Sequence, residues 1–501
     1  MSGLMLLPVF LPILAGSGIL VSSVTAKQKK APDLTEEARN KLHLFSAAVL
    51  VVSAVLAIVL AWSGDLSLTL FYLMKDIPVF FHIDGIGRVF VTVISVVWTA
   101  ICIYSFVYMK HEGGECRFFG LYLVVYGVLV ALTFSGNLVT MYLFYELMTL
   151  TSMPLVLHNG SREAIMAALK YLFYSMCGAY LGLFGIFFLY RYCSSLTFTP
   201  GGTLDPVLAS GHEGILLIAV FAMLLGFGVK AGMLPLHAWL PTAHPVAPSP
   251  ASAALSGIIV KCGVLAIIRS VYYIVGPDFI RGTWVQTTWM VLALMTVFLG
   301  SMLAFREPVL KKRLAYSTVS QISYILFGLS ALSQTAMTGA LLHVVFHAFI
   351  KSTLFLVAGI VIFQTGRTKV EELRGLGKEM PKTLWCYTFA SLALIGIPPA
   401  SGFVSKWYLA QGALEAEIGI FSWLGPVVLL VSALLTAGYL FPVTMHGFFP
   451  GKSGAQNVWK KQEPPYRMLL PVAFLALMAV LLGVFPNPLI QYFGQIAASV
   501  L

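Results

Sequence analysis

The chain has 501 residues, of which 59% are hydrophobic and 10% charged, with a formal net charge of +11. Ordinary soluble domains carry about 25% charged residues, so this composition excludes a disordered chain, a nucleic-acid-binding module and a large soluble enzyme. What remains is an all-α polytopic membrane protein, because apolar runs of about 20 residues recur from end to end. No linker is long enough to separate domains, so residues 1–501 read as a single membrane domain.

In chain order the apolar runs predict fourteen transmembrane helices, at 3–24, 42–62, 82–109, 117–134, 137–157, 164–190, 214–240, 250–275, 285–304, 314–332, 335–363, 383–414, 423–446 and 468–494. The first lacks a basic leader and a cleavage site and reads as a retained helix rather than a signal peptide. With Arg117, Lys170 and Arg269 counted with the loops their helices adjoin, the odd-numbered loops, numbered from the one after the first helix, hold 22 Lys and Arg, and the even-numbered loops hold 4. The other five, Arg88, Lys230, Lys261, Lys351 and Lys406, fall inside predicted helices. Such an imbalance assigns the odd loops to the cytoplasm. With an even number of spans, both termini then face the other side. The six cysteines form no C-x-x-C pair, so neither a disulfide framework nor an iron–sulfur site is expected. Nothing matches G-x-x-x-x-G-K-[ST], so the chain is not expected to hydrolyse a nucleotide itself.

Five charges lie deep in apolar sequence: Glu146, Lys230, Lys261, Lys351 and Lys406. Each costs about 2.5–3.5 kcal/mol at a helix centre, and five together cost on the order of 12–18 kcal/mol unless paired, hydrated or neutralised. Leucine would serve a protein that only had to span the bilayer. Glu146 and one lysine make a natural pair, whose strength a second lysine can change by competing for the carboxylate. His343, His347 and Lys351 follow at i, i+4 and i+8, within about 80° of one another on one helix face and over about 12 Å of its length. Three proton-binding groups in a stripe suit a proton relay. Packing histidines and an H-x-x-x-H metal site are the alternatives, although the latter lacks the glutamate of H-E-x-x-H.

Two predicted helices contain breaks. The seventh passes through Gly232, Pro235 and Pro241, and the twelfth through Pro398, Pro399 and Gly402. Proline removes a backbone donor and clashes with the preceding turn. Unwound backbone at membrane depth is tolerated only against protein or a water-filled cavity. Breaks in corresponding positions of two halves mark transport sites in repeat-built transporters. Helices 7 and 12 are five apart, which suggests two five-helix repeats, helices 4–8 (residues 117–275) and 9–13 (285–446). An odd number of helices per repeat makes them inverted. Ordinary proline kinks are the competing explanation.

The segments YELMTLTSMPL, GFGVKAGMLPLHAWLPTAHPVAPSPASAALSGIIVKCG, LLHVVFHAFIKSTLFLVAG and GIPPASGFVSKW resemble the antiporter-like subunits of respiratory complex I, Mrp-type cation/proton antiporters and membrane-bound hydrogenases. They stand in family order, and the resemblance covers roughly residues 80–450. It implies fourteen helices with inverted repeats and broken helices 7 and 12. It also implies that Glu146 and Lys230 are the essential pair, Lys261 the central lysine, His343, His347 and Lys351 the connecting relay, and Lys406 the terminal ionisable group. Lys406 departs from members with glutamate there. The chain also stops about seven residues after the last predicted helix, without the long lateral helix of complex I's distal subunit. An Mrp D-type subunit, a hydrogenase-type subunit and a short complex I member all fit.

The expected function is translocation of protons, or exchange of Na⁺ and H⁺, by one subunit of a larger membrane complex in a prokaryotic cytoplasmic membrane. Other membrane subunits would be its partners, and iron–sulfur clusters or quinone would sit in redox partners; no cofactor and no catalytic site is expected in this chain. A free-standing solute carrier driven by a proton or sodium gradient is the alternative. A quinone- or haem-binding redox component is a third, without a flavin or NAD fingerprint to support it. Orientation is testable by labelling in intact cells. A cysteine introduced beside Lys369 is expected to resist an impermeant thiol reagent and one beside Asp205 to react; the opposite pattern would reverse the topology.

Overall fold

The computed structural model describes residues 2–28, 34–74, 76–451 and 460–501. Of the loop cations, Lys29, Lys30, Lys75 and Lys452 lie outside the described residues. A short turn (Ser2–Leu6) leads into α1 (Leu7–Gln28) and α2 (Glu36–Trp62). A hairpin of β1 (Ser67–Met74) and β2 (Ile77–His82) follows, then α3 (Gly85–Glu112), α4 (Glu115–Phe134), α5 (Leu138–Val156) and α6 (Arg162–Tyr192). Next come α7 (Pro206–Ala209), α8 (Glu213–Ala231), α9 (Leu240–Val246), α10 (Ser249–Ala254), α11 (Val260–Ser270), α12 (Pro277–Ile280), α13 (Trp284–Arg306) and α14 (Leu310–Ser330). The chain closes with α15 (Gln334–Thr365), α16 (Leu376–Glu379), α17 (Pro381–Ile395), α18 (Ser401–Glu415), α19 (Phe421–Phe448), α20 (Tyr466–Val484) and α21 (Asn487–Val500). Among the described residues, eleven helices are long and apolar enough to cross a membrane, and the protein is an integral membrane protein.

Two rods form the centre of the bundle. One is the run Ser249–Val275, in which π-helical turns at Leu255–Ile259 and Val271–Val275 bracket α11; the other is α15. Nearly all their residues are buried. The helices around them keep one apolar side outward, as lipid-facing helices do. Polar caps set several helix starts: Asp84 accepts from Gly87 N at 2.9 Å, Asn137 from Thr140 N at 2.7 Å and Ser161 from Ala164 N at 3.1 Å.

Hydrogen bonds between loops fall into two sets. At one face, Gly136 N donates to Phe80 O, Phe198 N to Gly136 O and Thr199 N to Tyr273 O, which joins the even-numbered loops. At the other, Lys110 reaches Glu36, Leu310 N donates to Thr368 O, Gly375 N to His446 O and Gln462 N to Glu379 O, which joins the odd-numbered ones. The polar backbone at each membrane surface is thus satisfied by its own set.

Three expectations need correction. Residues 63–81 lie between predicted helices, but β1 and β2 pair as an antiparallel hairpin packed over the even-loop face, and the sequence between the two strands has none of the glycine that announces a tight hairpin. The last predicted helix, 468–494, is two helices, because Pro486 and Pro488 interrupt it. Its second part, α21, lies against the even-loop face, where Tyr492 donates to Gly85 O at 3.2 Å and Gly494 O accepts from Gln334 at 3.2 Å. Finally, Arg269 is counted with a loop and Lys311 falls between predicted helices, yet both are buried within α11 and α14, at 2% and 5% exposure.

Arg269 explains how its charge is tolerated. It donates to both oxygens of Asp84 at 2.5 and 2.6 Å and lies between the rings of Phe198 and Tyr273, 4.6 and 4.7 Å from their centroids. Removing one partner of a buried pair costs about 3–5 kcal/mol, whereas an apolar replacement of both costs far less. Asp84→Ala is therefore expected to lower the melting temperature of the purified protein, and Asp84→Ala with Arg269→Met to recover most of the loss. No recovery in the double variant would mean that the pair does not act as a unit.

Candidate functional site

The seven ionisable residues singled out in the sequence lie on five elements, α5, α8, α11, α15 and α18. Glycines set how closely some of these approach. A Cβ at Gly263 would sit 2.7 Å from Ala231 N and from Phe227 O and 3.0 Å from Lys230 Cβ, so α11 rests directly on the end of α8. Both broken helices end alike. α8 stops at Gly232 (φ 76°) and α17 at Gly396 (φ 94°), left-handed caps that glycine adopts without strain. Each is followed three residues later by a proline in a cis peptide, Pro235 and Pro399. Pro398 is the other half of that second bond, and Pro241 lies in the first turn of α9, where a proline's missing donor costs nothing.

Lys230 is fully buried at the end of α8. Its ammonium donates to three hydroxyls: Thr149 Oγ1 at 2.9 Å, Tyr171 OH at 3.0 Å and Ser175 Oγ at 2.9 Å. The same Tyr171 ring lies 4.4 Å away. All three donors of the lysine are used, and none goes to Glu146. Glu146 is half-buried one turn before Thr149 on α5, and its Oε1 is buried without a hydrogen-bond partner. The expected pair therefore makes no direct hydrogen bond, and the donors of Lys230 go to hydroxyls instead.

From Lys261 onward the contacts are continuous. Lys261 Nζ donates to Ser256 O at 3.0 Å and meets His347 Nδ1 at 2.9 Å. Ser256 belongs to the wider π-helical turn, where Leu255 O accepts from Val260, five residues on. The rings of His347 and His343 are 5.8 Å apart, and His343 Nδ1 meets Ser405 Oγ at 2.9 Å. Beside Ser405, Lys406 is half-buried and donates to Leu394 O and Ile395 O at 2.6 and 2.9 Å, the last carbonyls of α17. Tyr324 bridges the two sides, stacked on His343 at 5.7 Å and lying 5.1 Å from Lys406 Nζ. Lys351, one turn beyond His347, donates to Leu314 O at 3.1 Å. The free Nε2 atoms of both histidines are buried without partners. Among the described residues, no group of three His, Cys, Asp or Glu is placed to hold a metal ion.

Residues 135–449 match the family described as "NADH:quinone oxidoreductase/Mrp antiporter, TM", and residues 74–119 match "NADH-Ubiquinone oxidoreductase (complex I), chain 5 N-terminus". The chain belongs to this family. It is 33% identical over 434 residues to NADH-quinone oxidoreductase subunit N of Desulforudis audaxviator, spanning 83% of this chain and 84% of that one. It is 26% identical over 507 residues to a Na(+)/H(+) antiporter subunit of Alkalihalophilus pseudofirmus, spanning 100% and 98%. In fold it matches a chain of the Mrp complex from Dietzia sp. DQ12-45-1b, with a TM-score of 0.83 at 21% identity over 100% of this chain and 97% of that one. It is an antiporter-like membrane subunit, and the alternative of a free-standing solute carrier falls away because these relatives are subunits of complexes.

Within this antiporter-like subunit, sequence reading misses the neutral polar residues that hold the charges: Thr149, Tyr171, Ser175, Ser256, Tyr324 and Ser405. A hydroxyl in an apolar helix usually bonds its own backbone, so composition does not distinguish those that face a lysine. Helical spacing marks one of them, since Thr149 sits three residues after Glu146. Leaving a buried donor unpaired costs about 1–3 kcal/mol. Ser175→Ala is expected to lower thermal stability and slow transport, while Ser175→Thr keeps both. An unaltered Ser175→Ala protein would show that the hydroxyl does not hold Lys230.

Proposed function

We propose that this chain moves protons, or exchanges Na⁺ for H⁺, through an axis formed by Glu146, Lys230, Lys261, His347, His343 and Lys406, with Lys351 as a branch from His347. The observation that carries the reading is the unbroken sequence of contacts from Lys261 through His347 and His343 to Ser405, next to Lys406. Imidazole accepts a proton on one nitrogen and releases one from the other. Two imidazoles between two lysines, their ring centroids 5.8 Å apart and their planes tilted by 33°, form a path on which each step is one hydrogen bond or one ring-to-ring transfer. Partnerless Nε2 atoms on both rings support hydration along the same line, since buried polar atoms are satisfied by protein or water.

The architecture proposed around this axis has fourteen crossings. The eleven long apolar helices are joined by α5, α14 and the broken pair α17–α18. Residues 117–275 and 285–446 are read as inverted repeats, supported by the like-built ends at Gly232 and Gly396. The odd loops face the cytoplasm of a prokaryotic cell and both termini face the other side, supported by the Lys and Arg imbalance. Other membrane subunits are the partners. Any iron–sulfur cluster or quinone belongs to redox partners, and purification of the native complex distinguishes a redox-driven assembly from an antiporter.

Lys406 supplies the decisive test. Its two carbonyl acceptors allow a purely structural role, as a cap on α17 that favours positive charge at a helix C-terminus. Lys406→Arg keeps that charge but does not release a proton. Lys406→Glu keeps titration and reverses the charge. In vesicles holding equally assembled complexes, a proton-transfer role makes Arg as damaging as Ala, with Glu retaining more transport than either. A cap alone makes Arg tolerated and Glu the worst. A fully active Lys406→Arg would remove Lys406 from the path.

A further inference from the structure

The stripe on α15 does not end at Lys351. The next residue on that face is Phe355, and the ring of His244 stacks on it with centroids 4.6 Å apart and planes 24° apart. His244 lies in α9, the short helix after the first break, is fully buried, and has no hydrogen-bond partner on either ring nitrogen. A buried imidazole with two orphaned nitrogens is exceptional, because such atoms normally find protein or water. Packing does not require a histidine there, since phenylalanine would stack on Phe355 without the desolvation cost.

Lys311 stands beside it. This lysine, 5% exposed in the first turn of α14, donates to Ala247 O at 2.5 Å and reaches Pro245 O at 3.5 Å, the carbonyls that flank the residue after Pro245. Lys311 thus bonds the end of the short helix that carries His244, and Lys351 lies one turn before Phe355, the ring on which His244 stacks. Lys351 donates to Leu314 O, one turn along α14 from Lys311, so the first turn of α14 lies alongside both lysines. The hydroxyls of Ser249 and Ser352 are buried in the same region without partners.

We infer that Lys311 and His244 form the access route by which protons pass between the odd-loop face and Lys351, running Lys311, His244, Lys351 and then His347. Each step transfers a proton from a protonated donor to a neutral acceptor and leaves net charge unchanged. This inference rests on the axis proposed above and assigns its connection to one membrane face. It also gives Lys351 a task that the line from Lys261 to Lys406 does not.

The test uses the whole complex in vesicles, with transport measured for variants assembled to the wild-type level. Lys311→Arg keeps the charge and the donors to Ala247 O and Pro245 O but does not deprotonate. Lys311→His keeps a titrating group. His244→Phe keeps the stack on Phe355, and His244→Gln serves if the former fails to assemble. The expected result is a loss of more than five-fold in Lys311→Arg and in the His244 variant, with Lys311→His retaining more transport than Lys311→Arg and an optimum at lower pH. A loss smaller than five-fold in Lys311→Arg or in the assembled His244 variant, or Lys311→His no better than Lys311→Arg, would overturn the route. Lys261→Ala is measured alongside. Normal transport in that variant would reject the axis itself, whereas loss there with activity kept in the His244 and Lys311 variants rejects only the access route.

Discussion

Every lysine along the proposed axis is held by neutral dipoles rather than by a carboxylate, and the rest of the arrangement follows from that. Lys230 has three hydroxyls, Lys261 a carbonyl and an imidazole, Lys351 a carbonyl and Lys406 two carbonyls. A direct carboxylate would fix the ammonium in its charged form, because an opposite charge within a few ångström favours ionisation. Dipoles satisfy the donors without that bias. Those bonds lower the cost of bringing a cation into the bilayer.

The kind of dipole differs along the axis. A hydroxyl donates as well as accepts, so one of the three bonds around Lys230 can reverse onto the lone pair of a neutral amine. A carbonyl only accepts, so neither bond at Lys406 can reverse, although a neutral amine keeps the two N–H donors that serve them. Lys261 lies between these limits, with one carbonyl and one imidazole nitrogen whose role depends on its tautomer. The breaks make this possible. A continuous helix spends its carbonyls on its own ladder, whereas the last carbonyls of a helix are free. Gly396 ends α17 beside Lys406 and so exposes Leu394 O and Ile395 O at membrane depth. The π-helical turn at Leu255–Ile259 brings Ser256 O to Lys261 within an otherwise continuous rod.

The sequence made the charges and the breaks legible because both violate a strong rule. A lysine in an apolar run, or a proline and glycine inside a helix, stands out against a composition that otherwise supplies leucine and valine. Loop parity was legible for the same reason, and the two sets of inter-loop hydrogen bonds respect it. What escaped reading had no such contrast. Serine and threonine are ordinary in membrane helices, so the cage around Lys230 left no mark. Lys311 looked like one more cation in a basic loop, since only the early start of α14 at Leu310 buries it. His244 follows a proline-rich break and shares no helical period with the stripe it extends. Arg269 found its partner, Asp84, 185 positions away, a separation that no local pattern reveals.

Position along the bundle also bears on direction. Lys261, His347, His343 and Lys351 are at most 3% exposed, whereas Glu146 and Lys406 are only half-buried. The centre of the axis is therefore sealed from lipid and solvent, and its two ends open sideways through α5 and α18. A charge placed near either end is felt strongly along the interior, because the low dielectric between buried groups screens it little. Under the proposed relay, moving one proton at Glu146 alters the field at Lys230, whose hydroxyl partners reorient but hold no net charge. Such a relay would transmit a change of charge over its length without any helix having to move.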